Sequence, residues 1–293
     1  MKLRFVAPAK VNWTLEVLGR RDDGYHEIRS VLQTLSLHDS VALSPAEYLE
    51  VRRSGAEVVR AGPPDADLAY RAAEALRREA GKPELAALIE LEKAVPAATG
   101  LGGGSSDAAA VLRGLNRLWG LDFDKERLCR MGAKLGSDVP FFLMGGTVQT
   151  GGRGDEVAPL ADIAPLSVTV AVPQERVQQK TAQMYRRLRP EHFTSGEHTG
   201  RLVDKLATGG VVKDDDVFNA FEAVLFEAMP LAAVLREECQ NNGACPHLAG
   251  SGPALFFLSP LDAQTEQRLR RAGARLIATK TANRQESTAW EEL

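Results

Sequence analysis

Cysteine is scarce in this chain of 293 residues: Cys129, Cys239 and Cys245 are the only three, and no two form a Cys-x-x-Cys pair. That spread excludes a disulfide framework and a zinc finger of ordinary ligand spacing. His247 lies two residues after Cys245, but two ligands do not make a metal site. Free, mostly structural thiols imply a reducing compartment. Excess charge of either sign is missing as well. Lys and Arg number 36 against 39 Asp and Glu, a formal net charge of -3, so no global basic field favours nucleic acid. Arg268, Arg270 and Arg271 read as a solvated helix face. No apolar run approaches the ~20 residues of a membrane span, and strand-like Leu3 to Ala7 stand where a signal peptide would carry its apolar region. A soluble, cytoplasmic protein with neither nucleic-acid nor membrane partners is expected. Internal repeats and low-complexity blocks are absent. With 44% apolar residues, the chain has material for a real core in two domains or one large one.

The most informative segment present is Pro96-Ala-Ala-Thr-Gly100-Leu-Gly-Gly-Gly-Ser-Ser-Asp-Ala-Ala-Ala110. Leu88 to Lys93 before it alternates apolar and polar residues like a strand, and Ala108, Val111, Leu112, Leu115 and Trp119 after it recur at helical spacing. The context is strand, loop, helix. Gly100, Gly102, Gly103 and Gly104 allow a sharp turn and close approach to a ligand, with Ser105 or Ser106 expected to cap a helix whose free N–H groups face that ligand. This is a seat for phosphate. A Walker A loop is excluded because no lysine precedes Ser105-Ser106. The Rossmann fingerprint fits poorly, since its third glycine is missing and Asp122 and Asp124 fall near a helix start, not at the end of a second strand. Four glycines in five positions also cost more backbone entropy than a plain helix cap requires.

Strands are expected over residues 3–7, 11–18, 28–36 and 39–44, with a polar turn from Gly19 to Gly24. A helix begins near Asp65 or Asp67, buries Leu68, Ala72, Ala73 and Leu76, and stops at Gly81. Another runs from Asp124 to Leu135 and is ended by Gly136. A strand over 147–150 lies between glycine pairs, and Gly151 to Gly154 mark a transition near residue 155. Beyond it come a strand (166–172), a helix (179–188), a polar loop (189–200) and helices over 201–207, 218–229 and 231–241. Strands over 245–249 and 254–258, a helix over 261–272 and a strand over 275–279 follow, with 289–293 as a loose tail. Such alternation on short connections predicts an α+β architecture in two domains, 1–155 and 156–293.

The loop Pro-x-x-x-Gly-Leu-Gly-Gly-Gly-Ser-Ser-Asp-Ala-Ala resembles the phosphate loop of the galactokinase, homoserine kinase, mevalonate kinase and phosphomevalonate kinase superfamily. Three further segments are similar to its 4-diphosphocytidyl-2-C-methyl-D-erythritol kinase family. They are Pro8-Ala-Lys10-Val-Asn12 with the turn Gly19 to His26, Gly136-Ser-Asp138-Val-Pro-Phe-Phe142, and Gly250-Ser-Gly252. The match spans essentially the whole chain, and the Asp-Gly-Tyr-His turn is its most specific part. The resemblance implies an N-terminal domain like ribosomal protein S5 domain 2, a C-terminal ferredoxin-like domain, and an active site in the cleft between them. It also implies transfer of the ATP γ-phosphoryl group to the 2-hydroxyl of a small substrate carrying a cytidine diphosphate group, in the non-mevalonate route to isoprenoids.

Phosphoryl transfer asks for positioning, charge stabilisation and a group that orients or deprotonates the attacking hydroxyl. Asp138, between a helix-ending glycine and an apolar run, is a half-buried carboxylate in need of a cation. On the residues alone Asp138 is equally a turn residue and Lys10 a surface lysine; the resemblance pairs them as the catalytic residues. Asn12 shares a strand face with Lys10 and is expected to bond substrate hydroxyl or phosphate. Tyr25 and His26 follow a turn-forming Asp-Gly pair, and stacking and edge hydrogen bonds to a cytosine ring are the role the resemblance implies. Thr181 and Tyr185, one helical turn apart, join the substrate-binding set near the nucleotide. The nucleotide is expected to contact Pro96, Gly100, Leu101, Gly102, Gly103, Gly104, Ser105 and Ser106, with Asp67 and Lys93 toward the adenosine. Asp67 stands where the family more often carries Asn, Trp13 where it carries an aliphatic residue, and Gln178-Gln-Lys180-Thr181 where a Val-Ser-Thr pattern is common. Mg2+ is expected with ATP, because a cation bridges the β and γ oxygens. No carboxylate cluster identifies its ligands, and Ser106 is the best single choice. Two other readings carry the same glycine loop: another small-molecule kinase of the superfamily, and a ligand-binding member that has lost transfer activity. The Asp-Gly-Tyr-His turn argues against the first, and intact Lys10 and Asp138 against the second.

Overall fold

The computed structural model describes residues 1–58, 66–174 and 180–293. Its spine is β1 (Leu3–Arg20), one continuous strand where two were expected. The chain bridges Pro8, which has no N–H to donate, by slipping register against its partner between Pro8 and Lys10. β2 (His26–Pro45) likewise joins two expected strands and runs antiparallel to β1. There follow β3 (Glu50–Ser54), α1 (Leu68–Ala80), β4 (Ala87–Glu92), α2 (Gly103–Leu118), α3 (Lys125–Leu135), α4 (Val139–Met144), β5 (Thr147–Gly151) and β6 (Glu156–Pro159). The second half holds β7 (Ser167–Pro173), α5 (Lys180–Arg187), α6 (Glu197–Ala207), β8 (Phe218–Asn219), α7 (Glu222–Ala228), α8 (Pro230–Gln240), β9 (His247–Leu248) and β10 (Leu255–Phe257). It closes with α9 (Ala263–Arg271), β11 (Ala274–Lys280), α10 (Arg284–Ser287) and β12 (Trp290–Glu292).

Two sheets result. The larger has the order β12-β1-β2-β4-β3, with β5 on β2, β6 on β5 and β8 on β1; the smaller has the order β11-β7-β10-β9. Helices α1 to α4 cover one face of the larger sheet, where Ala72, Leu76, Val111, Leu115 and Phe141 meet Phe5, Leu43 and Ile89. The other face of β1, through Ala9, Val11 and Trp13, packs on Val168 and Val170 of β7 and Phe256 of β10. Trp13 sits edge-on to Phe256 at 5.7 Å between centroids, so this position is filled by an aromatic wedge between the sheets. From Ala7 to Val17, β1 is therefore buried on both faces, and its polar residues there have somewhere specific to point.

The capping signals are borne out where they are local. The Asp67 carboxylate accepts from Ala69 N, Gly81 ends α1 in the left-handed region, and Asp124 accepts from Arg127 N to start α3. Asp65, and the Gln178 and Gln179 at which the α5 region was expected to begin, lie outside the described residues. Long-range pairing overturns other expectations. Residues 289–293 are not a loose tail: Trp290 pairs with Phe5, and Arg117 covers the Trp290 ring. Residues 218–229 are not one helix, because Phe218 and Asn219 pair parallel to Thr14 and Leu15 and the Asn219 amide donates to the carbonyls of Leu248 and Gly250. The helix expected from 201 starts at Glu197, inside the segment read as a polar loop. Residue 155 falls at the turn of the β5–β6 hairpin, so the first sheet continues to Pro159, and β8 and β12 return to it from the second half.

Candidate active site

The glycine loop joins β4 to α2 and lies against β1. Lys10 N donates to Leu101 O at 2.9 Å, which fixes the loop beside the polar face of the strand. Gly100 (φ 94°) and Gly102 (φ 78°) hold left-handed conformations. A Cβ on Gly100 would also lie 1.9 Å from the carbonyl oxygen of Ala249, so the loop is in backbone contact with the segment that leads into Gly250-Ser-Gly252. Ser105 and Ser106 do not cap the helix. It begins two residues earlier, at Gly103, with Gly102 as its N-cap and no side chain accepting from its first turn. The N–H groups of that turn therefore remain free for an anion, which is the condition a phosphate seat needs.

Lys10 and Asn12 project from β1 beneath this loop, and both are buried. Lys10 Nζ donates to Asn12 Oδ1 at 2.6 Å, and Asn12 Nδ2 donates to Ser30 Oγ at 2.9 Å, so the amide is oriented by its neighbours on both sides. Asp138 precedes α4, but its carboxylate accepts no capping bond from that helix. It faces Lys10 instead, 3.8 Å from Nζ, with 37% of its side chain exposed. Burial lowers the Lys10 pKa from its ordinary value, and the Asp138 charge offsets part of that.

A cleft of about 1470 Å³ opens over these groups. It exceeds the ~300–1,000 Å³ of a typical single-ligand pocket, which leaves room for two molecules side by side. Lys10, Asn12, Asp138, Pro96, Gly100, Gly102, Gly103, Gly104 and Ser105 line it, as do Asp67, Lys93, Tyr25, His26, Thr181 and Tyr185. Leu101 does not; its side chain is buried in the core between the sheets and only its carbonyl serves the site. Ser106 does not line it either, and its hydroxyl is buried with no hydrogen-bond partner among the described residues.

At one end the His26 ring stacks on Tyr185 (centroids 4.9 Å, interplanar angle 24°), and Tyr185 meets Phe221 edge-on at 4.8 Å. Tyr185 thus stands with His26 on the cleft wall. His26 Nε2 is buried with no hydrogen-bond partner among the described residues, and burial, followed by the charge of Arg20, lowers its pKa. Burial, followed by the Asp138 charge, raises the Tyr185 pKa, so Asp138 is felt at the aromatic wall as well as at Lys10. Tyr25 is 54% exposed, with the Arg153 guanidinium 4.8 Å above its ring. Thr181 Oγ1 lies 2.9 Å from Ser251 Oγ, tying α5 to the second glycine loop.

At the other end Asp67 is already engaged, capping α1 and pairing with Arg53 of β3. Lys93 donates to both Asp39 and Asp107, and Asp39 also accepts from the backbone N–H groups of Ala94 and Val95. Burial pushes the Asp107 carboxyl up to about 7, against the pull of Lys93. Sequence reasoning missed Asp39, Asp107 and Arg53 because they are ordinary charged residues in local context, joined to their partners only by strand pairing and helix packing distant in sequence. It also missed Arg20 and Arg186 on the cleft wall, which have no ion-pair partner among the described residues.

Residues 67–146 match the N-terminal domain of the GHMP kinases. A 4-diphosphocytidyl-2-C-methyl-D-erythritol kinase of Dehalococcoides mccartyi is 43% identical over 258 residues, covering 87% of this chain and 89% of its own. Another, from Pelotomaculum thermopropionicum, is 38% identical over 290 residues, covering 97% and 99%. A crystal structure of a 4-(cytidine 5'-diphospho)-2C-methyl-D-erythritol kinase superposes with a TM-score of 0.77 at 34% identity, over 96% of this chain and 99% of that one. A homoserine kinase from Cytophaga hutchinsonii shares the fold, with a TM-score of 0.71 at 19% identity, over 99% of this chain and 97% of that one.

Proposed function

The chain belongs to the 4-diphosphocytidyl-2-C-methyl-D-erythritol kinase family of the GHMP kinases, and from that premise we propose how its own residues carry the reaction. It is an ATP-dependent small-molecule kinase of the non-mevalonate isoprenoid route, acting on a substrate that bears a cytidine diphosphate group. The observation that carries the mechanism is the Lys10–Asp138 pair, set beside a glycine loop with free helix N–H groups on one side and within the electrostatic reach of Tyr185 on the other. ATP seats its phosphates on Gly102 to Ser105. The cytosine ring packs on the His26–Tyr185 wall, with Tyr25 beside it, and the 2-hydroxyl of the methylerythritol moiety lies at Asp138. Asp138 takes the hydroxyl proton as the oxygen bonds to the γ-phosphorus; the bond from that phosphorus to the bridging oxygen breaks and ADP leaves. Lys10, oriented by Asn12, balances the charge spread over the transferring group. Thr181 and Arg186, which has no ion-pair partner among the described residues, face the diphosphate.

Mg2+ when bound neutralises the β and γ oxygens. Asp138, a carboxylate in the cleft that accepts no capping bond, is a hard oxygen donor that would hold it; Ser106 Oγ, a buried hydroxyl in the first turn of α2 with no hydrogen-bond partner among the described residues, lies outside the cleft lining and would join only by turning toward it. Lys93 and Asp67 act toward the adenosine as parts of ion pairs.

We read the architecture as two domains. The order β7, helices, β9, β10, α9, β11 and the sheet order β11-β7-β10-β9 support a ferredoxin-like C-terminal domain from 156 onward. The larger sheet with α1 to α4 supports an S5 domain 2-like N-terminal domain over 1–155, to which the β6 hairpin arm through Pro159 also adheres. The test of the reaction is ADP formation with Mg-ATP and a panel of acceptors. Rapid turnover of 4-diphosphocytidyl-2-C-methyl-D-erythritol is expected, with almost none of mevalonate, homoserine or galactose; comparable turnover of any of those three overturns the assignment.

A further inference from the structure

Cys245 and His247, separated by one proline, are not used by the phosphoryl-transfer site, and neither lines its cleft. The fold brings a third ligand to them. The 3₁₀ turn Asp214–Asp216, which follows α6, packs against β9 at the edge of the smaller sheet, and Asp214 Oδ1 lies 2.7 Å from His247 Nε2. The Asp214, Cys245 and His247 ligand atoms all lie within 4.8 Å of one another, the one such group of three among the described residues.

We propose that Asp214, Cys245 and His247 form a binding site for a zinc-type divalent cation. The donor set is one carboxylate, one thiolate and one imidazole, a mixture that suits zinc and that Mg2+ or Ca2+ does not select. His247 is buried and held against the Phe256 ring, centroids 5.3 Å apart, so its imidazole is a fixed point. Cys245 is exposed, with room to move its sulfur inward. Tetrahedral zinc sets its ligand atoms roughly 3–4 Å apart, so the 2.7 Å Asp214–His247 contact opens slightly while the Cys245 sulfur moves inward; the imidazole keeps its proton on Nδ1, leaving Nε2 to the cation, and the thiol proton leaves to solvent. A cavity of about 140 Å³, lined by Asp214 and Cys245 and also by Asp262 and Thr265, opens beside the cluster. It provides the space for a water as fourth ligand. Bound metal ties the turn after α6 to the strand that leads into Gly250-Ser-Gly252, and so stabilises the smaller sheet.

The full chain, stripped with chelator and titrated with Co2+, is expected to develop a thiolate-to-cobalt charge-transfer band that saturates at one equivalent and is displaced by Zn2+. Zn2+ is expected to raise the melting temperature of the same sample by several degrees. Cys245→Ser, a substitution at an exposed position, should abolish the band, and His247→Ala should weaken Zn2+ in a competition titration by at least about tenfold. A measurement that needs no variant is the alkylation rate of Cys245 by mass spectrometry, which Zn2+ should slow. No band with the native chain, a band that survives Cys245→Ser, or alkylation indifferent to Zn2+ overturns the site.

Discussion

Lys10 Nζ stands 3.8 Å from Asp138 Oδ2 while it donates to Asn12 Oδ1 at 2.6 Å, so one buried ammonium holds two polar groups at the floor of the cleft. A buried charge of this kind costs stability, and it persists where it positions chemistry.

Asp138→Asn and Lys10→Ala are each expected to lower kcat by at least ~100-fold, the scale of losing a positioned acid-base or electrostatic group, with ATP affinity changed only a few-fold. Near-normal turnover of Asp138→Asn would remove that carboxylate from the mechanism. Burial also sets a pH dependence. The Lys10 pKa is lowered from 10.5, so turnover should begin to fall on the alkaline side below that pH. A rate profile flat to pH 10.5 would separate Lys10 from the rate-limiting step.

The stack of His26 on Tyr185 predicts a binding effect, not a rate effect. Base–aromatic stacking contributes about 1–3 kcal/mol, so Tyr185→Ala and His26→Ala should raise KM for the cytidyl substrate by roughly tenfold or more and leave KM for ATP alone. The lowered His26 pKa adds a stability term with a definite sign. Its folded value lies below the unfolded 6.5, so the stability it contributes is present above pH 6.5 and is lost as pH falls through the folded value. In thermal melts the native chain should lose ground to His26→Gln below pH 6.5; parallel pH profiles would remove His26 as the cause.

The sequence made local features readable and long-range ones unreadable, for physical reasons. Asp67, Gly81 and Asp124 act within four residues of themselves, so the ends of α1 and α3 follow from residue type. The two-residue strand β8 exists only because Asn219 finds the carbonyls of Leu248 and Gly250, partners some thirty residues away that no local window contains. Lys10 and Asp138 were equally ambiguous as isolated residues, and the resemblance to a known family paired them. No such pattern announced Arg53 against Asp67 or Lys93 between Asp39 and Asp107. Arg53 meets Asp67 because β3, which the sequence does not announce, lies beside the start of α1; Lys93 meets Asp39 because β2 pairs with β4, and meets Asp107 because α2 packs beside the end of β4.

Lys93 shared between Asp39 and Asp107 leaves two buried carboxylates with one lysine. The Asp107 carboxyl, pushed up to about 7 by burial, has a folded pKa above its unfolded 3.8. Its contribution to stability is therefore complete below pH 3.8 and is lost as pH rises through about 7. Asp107→Asn cannot ionise, so the melting temperature of the native chain should fall relative to that variant between pH 5 and pH 8. A difference that stays constant over this range would mean that Asp107 is ionised throughout.

The glycine loop separates into positions that hold the fold and positions that meet a ligand. Gly103 is not left-handed, as an irregular turn would have it; it is the first residue of α2, and a Cβ there meets Val95 at 3.1 Å. The strained positions are Gly100 and Gly102. A side chain on Gly100 would enter the Ala249 carbonyl at 1.9 Å, so Gly100→Val should lower the melting temperature by well over the few degrees that ~1 kcal/mol of left-handed strain alone costs. Gly104 is exposed in the first turn of α2, and its Cβ would touch only Leu68 at 3.7 Å. Gly104→Val should therefore keep the melting temperature within a few degrees while its branched side chain obstructs the free N–H groups where phosphate seats. Calorimetric ATP titration and a melt on the same samples decide between two accounts. If Gly104→Val folds normally and binds ATP as tightly as the native chain, the loop is a helix start and nothing more; if it folds and binds at least about tenfold more weakly, the phosphate sits on the first turn of α2.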